Sequence, residues 1–315
     1  MINRKVSILI PCYNAQKWIA QAIESALNQT YLHKEVIVVD DGSTDGSLEI
    51  IRSFGDRIIY ETGINRGGNV ARNRLLELSS GEWLQYLDAD DYLLPNKIAQ
   101  QIQYLQENPD TDIIYSPSIF QYHTGEITQE ILPIPQPRDP WVLLARWYLP
   151  QTGSPLWRKQ AIIDVGSWKI NQPCCQEHEL YLRLLIAQKR FRYYEEAASV
   201  YRQWSESTVC KKSKLETYRR RLEVIDKTEQ HLIIIKQLTQ SRQNAINQAR
   251  FECARIIWLT NKEWAKNIIK QIRKKDFNFI PQGNFAPEIY RLTYKFFGFN
   301  FAERVAEIKR SLVIS

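Results

Sequence analysis

Short apolar segments alternate with helical patterns along the first third of the chain. Residues 6–10, 36–39 and 83–87 have the length and composition of buried strands, and a stretch with helical period follows each of the first two. Strands that are apolar throughout are typical of a parallel sheet with helices on both faces, because neither face meets water. The sequence therefore predicts an α/β fold with a mostly parallel sheet flanked by helices.

Local signals predict where these elements begin and end. Pro11 is expected to stop the first strand, and Asn14 is expected to cap an amphipathic helix over residues 15–29. Farther along, the pattern predicts helices at 46–54, 70–79, 98–105, 141–149 and 178–189, strands at 57–60, 112–116 and 191–201, and a proline-rich loop at 133–140.

Polar residues follow three of the predicted strands. Residues 11–14, 40–45 and 88–91 each come directly after an apolar segment. In an open parallel sheet, ligands bind at the carboxyl ends of the strands. We therefore expect these three segments to converge on one site, although up to about 80 positions separate them.

The densest of these segments is acidic. Asp88, Asp90 and Asp91 lie within four positions, and carboxylates this close repel one another unless a cation or hydrogen-bond donors lie between them. A divalent cation with oxygen ligands that bridges to a diphosphate satisfies this arrangement. The alternative is a solvated turn in which Asp91 caps the helix that begins near Pro95.

Two further segments have both a binding and a structural interpretation. Asp41 can accept a hydrogen bond from the imide N–H of a uracil-type base, or it can belong to a turn that caps the next helix. Gly67 and Gly68 allow a ligand to approach the backbone, with Asn69 as a contact, or they form an ordinary tight turn.

Together these segments resemble the family 2 glycosyltransferases, which have the GT-A fold. The matching stretches are residues 6–14, 22–30, 38–45, 65–73 and 81–91, in the order and spacing of that family. The resemblance spans about residues 1–205 and is strongest over 5–98. It implies an inverting transfer from a nucleotide-diphosphate sugar, most often a UDP-sugar.

The resemblance also implies roles for individual residues. Those matched to donor binding are Pro11, Tyr13, Asp41, Gly67, Asn69, Asp88, Ala89 and Asp90. Asp88-Ala89-Asp90 matches the DxD motif, in which Asp90 is the direct ligand of Mg²⁺ or Mn²⁺ and Asp88 lies nearer the ribose.

The general base is implied by a later stretch. Family members carry a Glu-Asp pair before a helix, and the matching stretch begins with Gln176-Glu177, so Glu177 falls on the base position. Glu179 and His178 are the competing candidates. Because the pair departs from the family pattern, a protein that binds a nucleotide sugar or glycan without catalysis is the alternative function.

Residues 205–315 differ from the rest in charge. They contain 22 Lys and Arg against 11 Asp and Glu, in a chain whose formal net charge is +7. We predict a transferase domain over 1–205 and a basic, mostly helical region over 206–315. Its charge leaves three interpretations open: a solvated face, a peripheral contact with anionic lipid near a lipid-linked acceptor, and nucleic acid, which is disfavoured because no binding motif is present.

Other features of the sequence predict location and packing. No apolar run approaches the roughly 20 residues of a membrane-spanning helix, so a cytoplasmic protein is expected. The cysteines at positions 12, 174, 175, 210 and 253 show no disulfide spacing and are expected to be free thiols. Six aromatic residues near the C-terminus are predicted to pack in a core, with an interfacial aromatic face as the alternative: Tyr290, Tyr294, Phe296, Phe297, Phe299 and Phe301.

Overall fold

A computed structural model of the protein describes residues 4–124, 126–204 and 214–314. The chain divides into two compact units. The N-terminal unit lies within Met1–Pro140 and Tyr148–Val209, and the C-terminal unit lies within Trp141–Trp147 and Cys210–Ser315. The predicted domain boundary at 205/206 and Cys210 lie outside the described residues, so that boundary stays a prediction.

The N-terminal unit contains all the described strands and the first seven helices, apart from most of α5. The strands are β1 (Val6–Cys12), β2 (Lys34–Asp40), β3 (Ile59–Thr62), β4 (Trp83–Tyr86), β5 (Tyr92–Leu93), β6 (Ile113–Tyr115), β7 (Ser118–Thr124), β8 (Glu126–Leu132), β9 (Leu156–Arg158), β10 (Phe191–Tyr193) and β11 (Ser199–Gln203). The helices are α1 (Ile19–Leu27), α2 (Ser47–Ser53), α3 (Gly68–Leu78), α4 (Lys97–Glu107), α5 (Pro140–Ala145), α6 (Lys159–Asp164) and α7 (Gln176–Ile186).

The larger sheet has seven strands in the order β10-β6-β9-β4-β1-β2-β3. β1 pairs in parallel with β2 and β4, β3 is parallel to β2, and β10 is parallel to β6. Only β9, among these strands, runs against its neighbours β4 and β6. The predicted α/β class, with a mostly parallel sheet flanked by helices, is confirmed.

The apolar pattern of β1 and β2 explains why the sheet is covered on both faces. Ile8 and Val38 belong to a buried cluster that includes Ile19 and Ile23 of α1. Leu9 and Ile37, which point to the opposite face, are also fully buried, and α3 packs against these two strands. Burial of such side chains stabilises the fold by about 1.5–3 kcal/mol each.

Two predicted boundaries near the N-terminus are wrong. Pro11 does not stop β1, because the strand continues to Cys12 and Pro11 is in register with Val39. Asn14 does not cap α1, which begins at Ile19 without a side-chain cap. Instead the Asn14 side-chain oxygen accepts the backbone N–H of Thr44 at 2.7 Å, so it fastens the loop after β1 to the loop after β2.

A second sheet has no counterpart among the sequence predictions except for β11. Its order is β5-β11-β7-β8, and β7 and β8 form an antiparallel hairpin. β5 brings the end of the acidic segment into this sheet by pairing with β11. The sheet thereby places β11 beside Asp90 and Asp91.

The C-terminal unit is helical in its described part, as predicted. Its helices after α5 are α8 (Lys214–Ile234), α9 (Gln240–Ile257), α10 (Lys262–Lys275) and α11 (Glu288–Ile314). No helix in residues 4–124, 126–204 and 214–314 combines the length and apolarity needed to cross a bilayer.

The six aromatic residues of α11 do not share one environment. Tyr290, Tyr294 and Phe299 are buried against Phe251 of α9, as predicted. The prediction is wrong for Phe296, Phe297 and Phe301, which are exposed. A regular helix would place Phe297 and Phe301, seven positions after Tyr290 and Tyr294, on the same side as those two residues. The non-helical backbone at Gly298 interrupts this pattern.

Candidate active site

The parallel register brings the predicted ligand segments to one edge of the sheet. Cys12 at the end of β1 is in register with Asp40 at the end of β2, and Leu9 is in register with Tyr86 at the end of β4. The segment Asp88–Asp91 therefore emerges beside the loops after β1 and β2. The convergence expected from the sequence is present in the fold.

Asp41 shapes the glycine loop rather than facing away from it. Its two carboxylate oxygens accept the backbone N–H groups of Arg66 and Gly67, each at 2.8 Å. Gly42 next to it must be glycine, since its φ is +73° and a Cβ would lie 2.7 Å from the backbone nitrogen of Asn65. Asp41 thus holds residues 65–67 at the rim of the site, where Tyr13 is half exposed.

Gly67 and Asn69 differ in what they present to a ligand. Gly67 has a φ of +96° and open space where a side chain would be, so its backbone lies at the surface of the site. Asn69 is buried, and its amide nitrogen donates to the backbone oxygens of Lys169 (2.6 Å) and Gln172 (3.2 Å). In this structure Asn69 therefore fastens the loop before α7 to α3, and its donor-binding role stays a prediction.

Arg72 of α3 occupies the centre of the site, and the sequence interpretation gave it no role. Its guanidinium donates to Oδ1 of Asp88 and to Oε1 of Gln176, both at 2.8 Å. The guanidinium carbon also lies 5.1 Å from the ring centre of Trp168. The buried positive charge therefore links the acidic segment after β4 to the first turn of α7.

The acidic segment alternates between outward and inward side chains. Asp88 and Asp90 are partly exposed, whereas Ala89 and Asp91 are buried. Burial, and then the neighbouring Asp88, raise the pKa of Asp90 above its ordinary value. This repulsion between two adjacent carboxylates is the situation that a bound cation relieves.

Asp91 is an internal structural residue and not a helix cap. Its carboxylate accepts the backbone N–H of Arg202 at 2.9 Å, while burial and the charges of Asp90 and Asp88 raise its pKa well above the usual range. The interpretation of Asp91 as a cap for the helix after Pro95 is wrong, because the N–H of Ile98 in the first turn of α4 donates to Oε1 of Gln29, at 3.1 Å, instead.

β11 closes the other side of the acidic segment. Arg202 donates to the backbone oxygen of Asp90 at 2.6 Å, and its guanidinium lies between the rings of Trp18 and Tyr92. Trp204 donates its indole N–H to Oδ2 of Asp90 at 2.9 Å. The stretch Arg202–Trp204 therefore contacts the Asp88-Ala89-Asp90 segment directly.

Glu177 lies in the first turn of α7, after Cys175, whose φ of 57° is left-handed. Its Oε1 accepts the hydroxyl of Thr152 at 3.2 Å. Burial raises the pKa of Glu177, while the charge of Arg72 opposes this rise and the charge of Asp88 adds to it. Glu177, Arg72 and Asp88 therefore form one electrostatic cluster.

The two competing residues have other partners. Glu179 is buried and forms ion pairs with Arg183, at 2.8 Å, and with Lys169. His178 is buried and packs edge-on against Tyr181, with ring centres 5.9 Å apart. Among the three candidates, Glu177 is the carboxylate that shares the cluster with Arg72 and Asp88.

The carboxylate oxygens of Asp88 and Asp90 fit a divalent cation whose other coordination positions are filled by a bound diphosphate and water. Asp88 gives one oxygen to Arg72 and Asp90 gives one to Trp204, so each retains a second oxygen. No group of three or more His, Cys, Asp and Glu side chains in the described part of the chain can hold a metal alone. Mg²⁺ commonly takes one or two carboxylates and fills its other positions with phosphate oxygens and water.

Comparison with known proteins identifies the family. Residues 7–165, half of the chain, match the sequence model of glycosyl transferase family 2, and the chain belongs to this family of enzymes. The UDP-Glc:alpha-D-GlcNAc-diphosphoundecaprenol beta-1,3-glucosyltransferase WfaP of Escherichia coli is 41% identical over 103 residues, which are 32% of this chain and 41% of that protein. The chain spans less than half the length of the curated relatives it matches.

Solved structures share the fold at low sequence identity. TarS 1–349 of S. aureus in complex with UDP-GlcNAc aligns over 97% of this chain and 92% of its own, with a TM-score of 0.60 and 14% identity. The mannosyltransferase PcManGT of Pyrobaculum calidifontis, in complex with GDP-Man and Mn²⁺, aligns over 99% and 81% with a TM-score of 0.53 and 14% identity. The GT-A-like fold expected from the resemblance is confirmed.

Proposed function

We propose that this family 2 glycosyltransferase moves a sugar, with inversion, from a nucleotide-diphosphate donor to a hydroxyl group of a glycan or lipid-linked acceptor. A UDP-sugar is the proposed donor. The observation that carries the proposal is the cluster in which Arg72 joins the Asp88 carboxylate to the first turn of α7, which bears Glu177. It sets an acidic segment suited to a diphosphate beside a carboxylate suited to take a proton.

The nucleoside is proposed to lie at the ends of β1 and β2. Pro11 and Tyr13 flank this position, and Asp41 holds the loop that carries Gly67. Asp41 already accepts two backbone N–H groups, but two carboxylate oxygens offer about four acceptor sites. The residues after β1 and β2 therefore have the capacity to bind a base and a ribose.

The diphosphate is proposed to lie over Asp88-Ala89-Asp90. A Mg²⁺ or Mn²⁺ ion held by Asp90, with Asp88 beside it nearer the ribose, would neutralise the charge that develops on the leaving nucleoside diphosphate. Arg72 keeps Asp88 in place through its 2.8 Å ion pair. Arg202 and Trp204 orient the backbone and side chain of Asp90 from the other side.

Glu177 is the proposed general base. The acceptor oxygen forms a bond to the anomeric carbon while the bond to the diphosphate oxygen breaks and that oxygen keeps the electron pair. The hydroxyl proton passes to Glu177, whose raised pKa brings it closer to the pH at which a base works best. The hydroxyl of Thr152 fixes the carboxylate for this step.

The acceptor class and the cellular compartment are each proposed from one observation. The name of the Escherichia coli relative specifies a diphosphoundecaprenol-linked sugar as its acceptor. In the part of this chain that the structure describes, Cys12, Cys174 and Cys253 are buried free thiols, which suits a reducing compartment such as the cytoplasm. We therefore place the reaction in the cytoplasm, with peripheral contact at the inner face of the membrane.

The proposal is tested by incubating the full chain with UDP-, GDP- and dTDP-sugars, with and without Mg²⁺ or Mn²⁺, and measuring release of the nucleoside diphosphate. Metal-dependent release from one donor is expected, and Asp90→Asn should abolish it. Asp110→Asn, a change of the same kind at an exposed position, should leave it intact. Binding of a donor with neither hydrolysis nor transfer would instead favour the non-catalytic alternative.

A further inference from the structure

Helix α11 has a buried face and an exposed face of unusual composition. Tyr290, Tyr294, Phe299 and Ala302 on the buried face are at most 7% exposed. Seven other large apolar side chains of α11, which we call the apolar stripe, have exposed fractions between 39% and 71%: Ile289, Leu292, Phe296, Phe297, Phe301, Val305 and Ile308.

The apolar stripe has two parts, one on each side of Gly298, and a ring contact joins them. Residues 289, 292 and 296 are three and four positions apart, as are 301, 305 and 308, so each set lies on one side of a helix. Phe297 and Phe301 connect the sets, with ring centres 4.9 Å apart across the kink at Gly298. Single exposed apolar residues are ordinary, whereas a contiguous stripe of this kind marks an interaction surface.

The charges that flank the apolar stripe are basic. Arg291, Lys295, Arg304 and Lys309 are exposed on α11, and no ion pair joins them to an acidic residue in the described part of the chain. The Nζ of Lys295 lies 5.8 Å from the ring centre of Phe296.

The acidic residues of α11 beyond its first position are paired elsewhere. Glu303 is buried against Arg255, at 2.5 Å, and Glu307 pairs with Lys262 at 3.1 Å. The surface beside the apolar stripe therefore carries positive charge that the helix does not neutralise.

This combination distinguishes among partners for the apolar stripe. A second copy of the chain would bring like charges together, which disfavours association. An anionic lipid surface accepts aromatic and aliphatic side chains at the boundary between headgroups and acyl chains, and its negative charge complements flanking Lys and Arg residues.

We propose that α11 lies on anionic membranes, with the apolar stripe at the boundary between lipid headgroups and acyl chains and the four basic residues in contact with lipid phosphates. The membrane contact thereby consists of the seven side chains of the apolar stripe and the four basic residues beside them. Binding by this surface does not require the transferase activity, so the two proposals can fail separately.

The test measures co-sedimentation of the full chain with vesicles, in the absence of any nucleotide sugar. Vesicles of phosphatidylcholine alone are compared with vesicles that contain about 30% phosphatidylglycerol, since each basic residue near an anionic surface strengthens binding about fivefold. We expect binding to the anionic vesicles only, and we expect it to weaken as the salt concentration rises.

Two sets of variants separate the apolar and the charged contributions. Phe296→Ser/Phe297→Ser/Phe301→Ser should lower vesicle affinity by at least about tenfold. Lys295→Gln/Arg304→Gln should lower it by about 25-fold on anionic vesicles. The matched control Leu32→Ser/Ile127→Ser/Ile131→Ser removes three exposed apolar side chains from the N-terminal unit and should bind as the wild type does.

Circular dichroism shows whether each variant is folded. Because all the substituted side chains are exposed, the unfolding temperature of the variants should equal that of the wild type. The proposal would be overturned by equal binding of the triple phenylalanine variant and the wild type, or by no binding of the wild type to anionic vesicles. It would also be overturned if analytical ultracentrifugation showed that the wild type forms dimers that the phenylalanine variant cannot form, with no vesicle binding by either.

Discussion

Replacement of Arg72 by Met tests whether a buried charge organises the site. The substitution keeps a long apolar side chain near Trp168 and removes the group that donates to Asp88 and Gln176. A hydrogen bond to a charged group such as the Asp88 carboxylate contributes about 1.5–3 kcal/mol to stability. Loss of the hydrogen bond to the neutral Gln176 amide costs about 1 kcal/mol more. Because the Asp88 side chain is 27% exposed and regains water, we expect a net loss of about 2–3 kcal/mol.

The assay is equilibrium unfolding in urea, followed by tryptophan fluorescence. At an unchanged slope, a loss of this size moves the midpoint by about 1 M urea. Arg74→Met is the matched control on the same helix, because Arg74 pairs with Glu61 and Glu77 at the surface. These pairs are largely exposed, so this variant should lose no more than about 1 kcal/mol, well below the loss expected for Arg72→Met.

The same substitution has a second expected effect, on the pH dependence of transfer. Arg72 opposes the rise in the pKa of Glu177 that burial causes, so its removal should raise that pKa further. A base acts only when it is deprotonated. The acid limb of the rate profile should therefore move to higher pH in Arg72→Met. The role assigned to Arg72 would be refuted if Arg72→Met changed neither the midpoint of urea unfolding nor the acid limb of the pH–rate profile.

Two further predictions concern stability. Burial favours protonation of Glu35, but the hydrogen bonds from Lys5, Ser7 and Ser80 outweigh burial and lower the pKa of Glu35 to about 2. The stability that ionised Glu35 contributes is present above its unfolded pKa and is lost as the pH falls through about 2. The wild type should therefore lose more stability than Glu35→Gln in an acid titration followed by circular dichroism. Gly42→Ala should lower the free energy of unfolding by about 1–3 kcal/mol, because φ is positive and a Cβ would lie 2.7 Å from the Asn65 backbone nitrogen. Gly55→Ala is the control and should cost less, since Gly55 also has a positive φ but has open space around it. Equal losses of stability in urea unfolding would contradict the steric argument.

The parts of the fold that depend on local pattern were predictable. The apolar segments and the polar residues that follow them identified β1, β2 and β4, and the parallel arrangement then required Asp41 and Asp88 to lie at one edge. The prediction for Asn14 is wrong because a good capping residue before a helical pattern looks the same whether it caps the helix or joins two loops. That choice depends on Thr44, 30 positions away.

The contacts that complete the site were not predictable from local pattern. Arg72 meets Gln176 across 104 positions, and Trp204 meets Asp90 across 114. Exposed and buried aromatic residues alternate on α11, and only packing against α9 decides which of them are covered. The unrecognised signal for Arg72 was an arginine in the helix that follows the glycine loop, at the ligand edge of the sheet.

The most direct test of the account is the Glu177→Gln variant, assayed for both donor binding and transfer. The substitution preserves the shape of the side chain and removes its capacity to take a proton. We predict unchanged affinity for the nucleoside diphosphate by calorimetry and a loss of transfer of about 10²- to 10⁴-fold. Transfer at the wild-type rate, or loss of nucleotide binding along with transfer, would contradict the assignment of Glu177 as the general base.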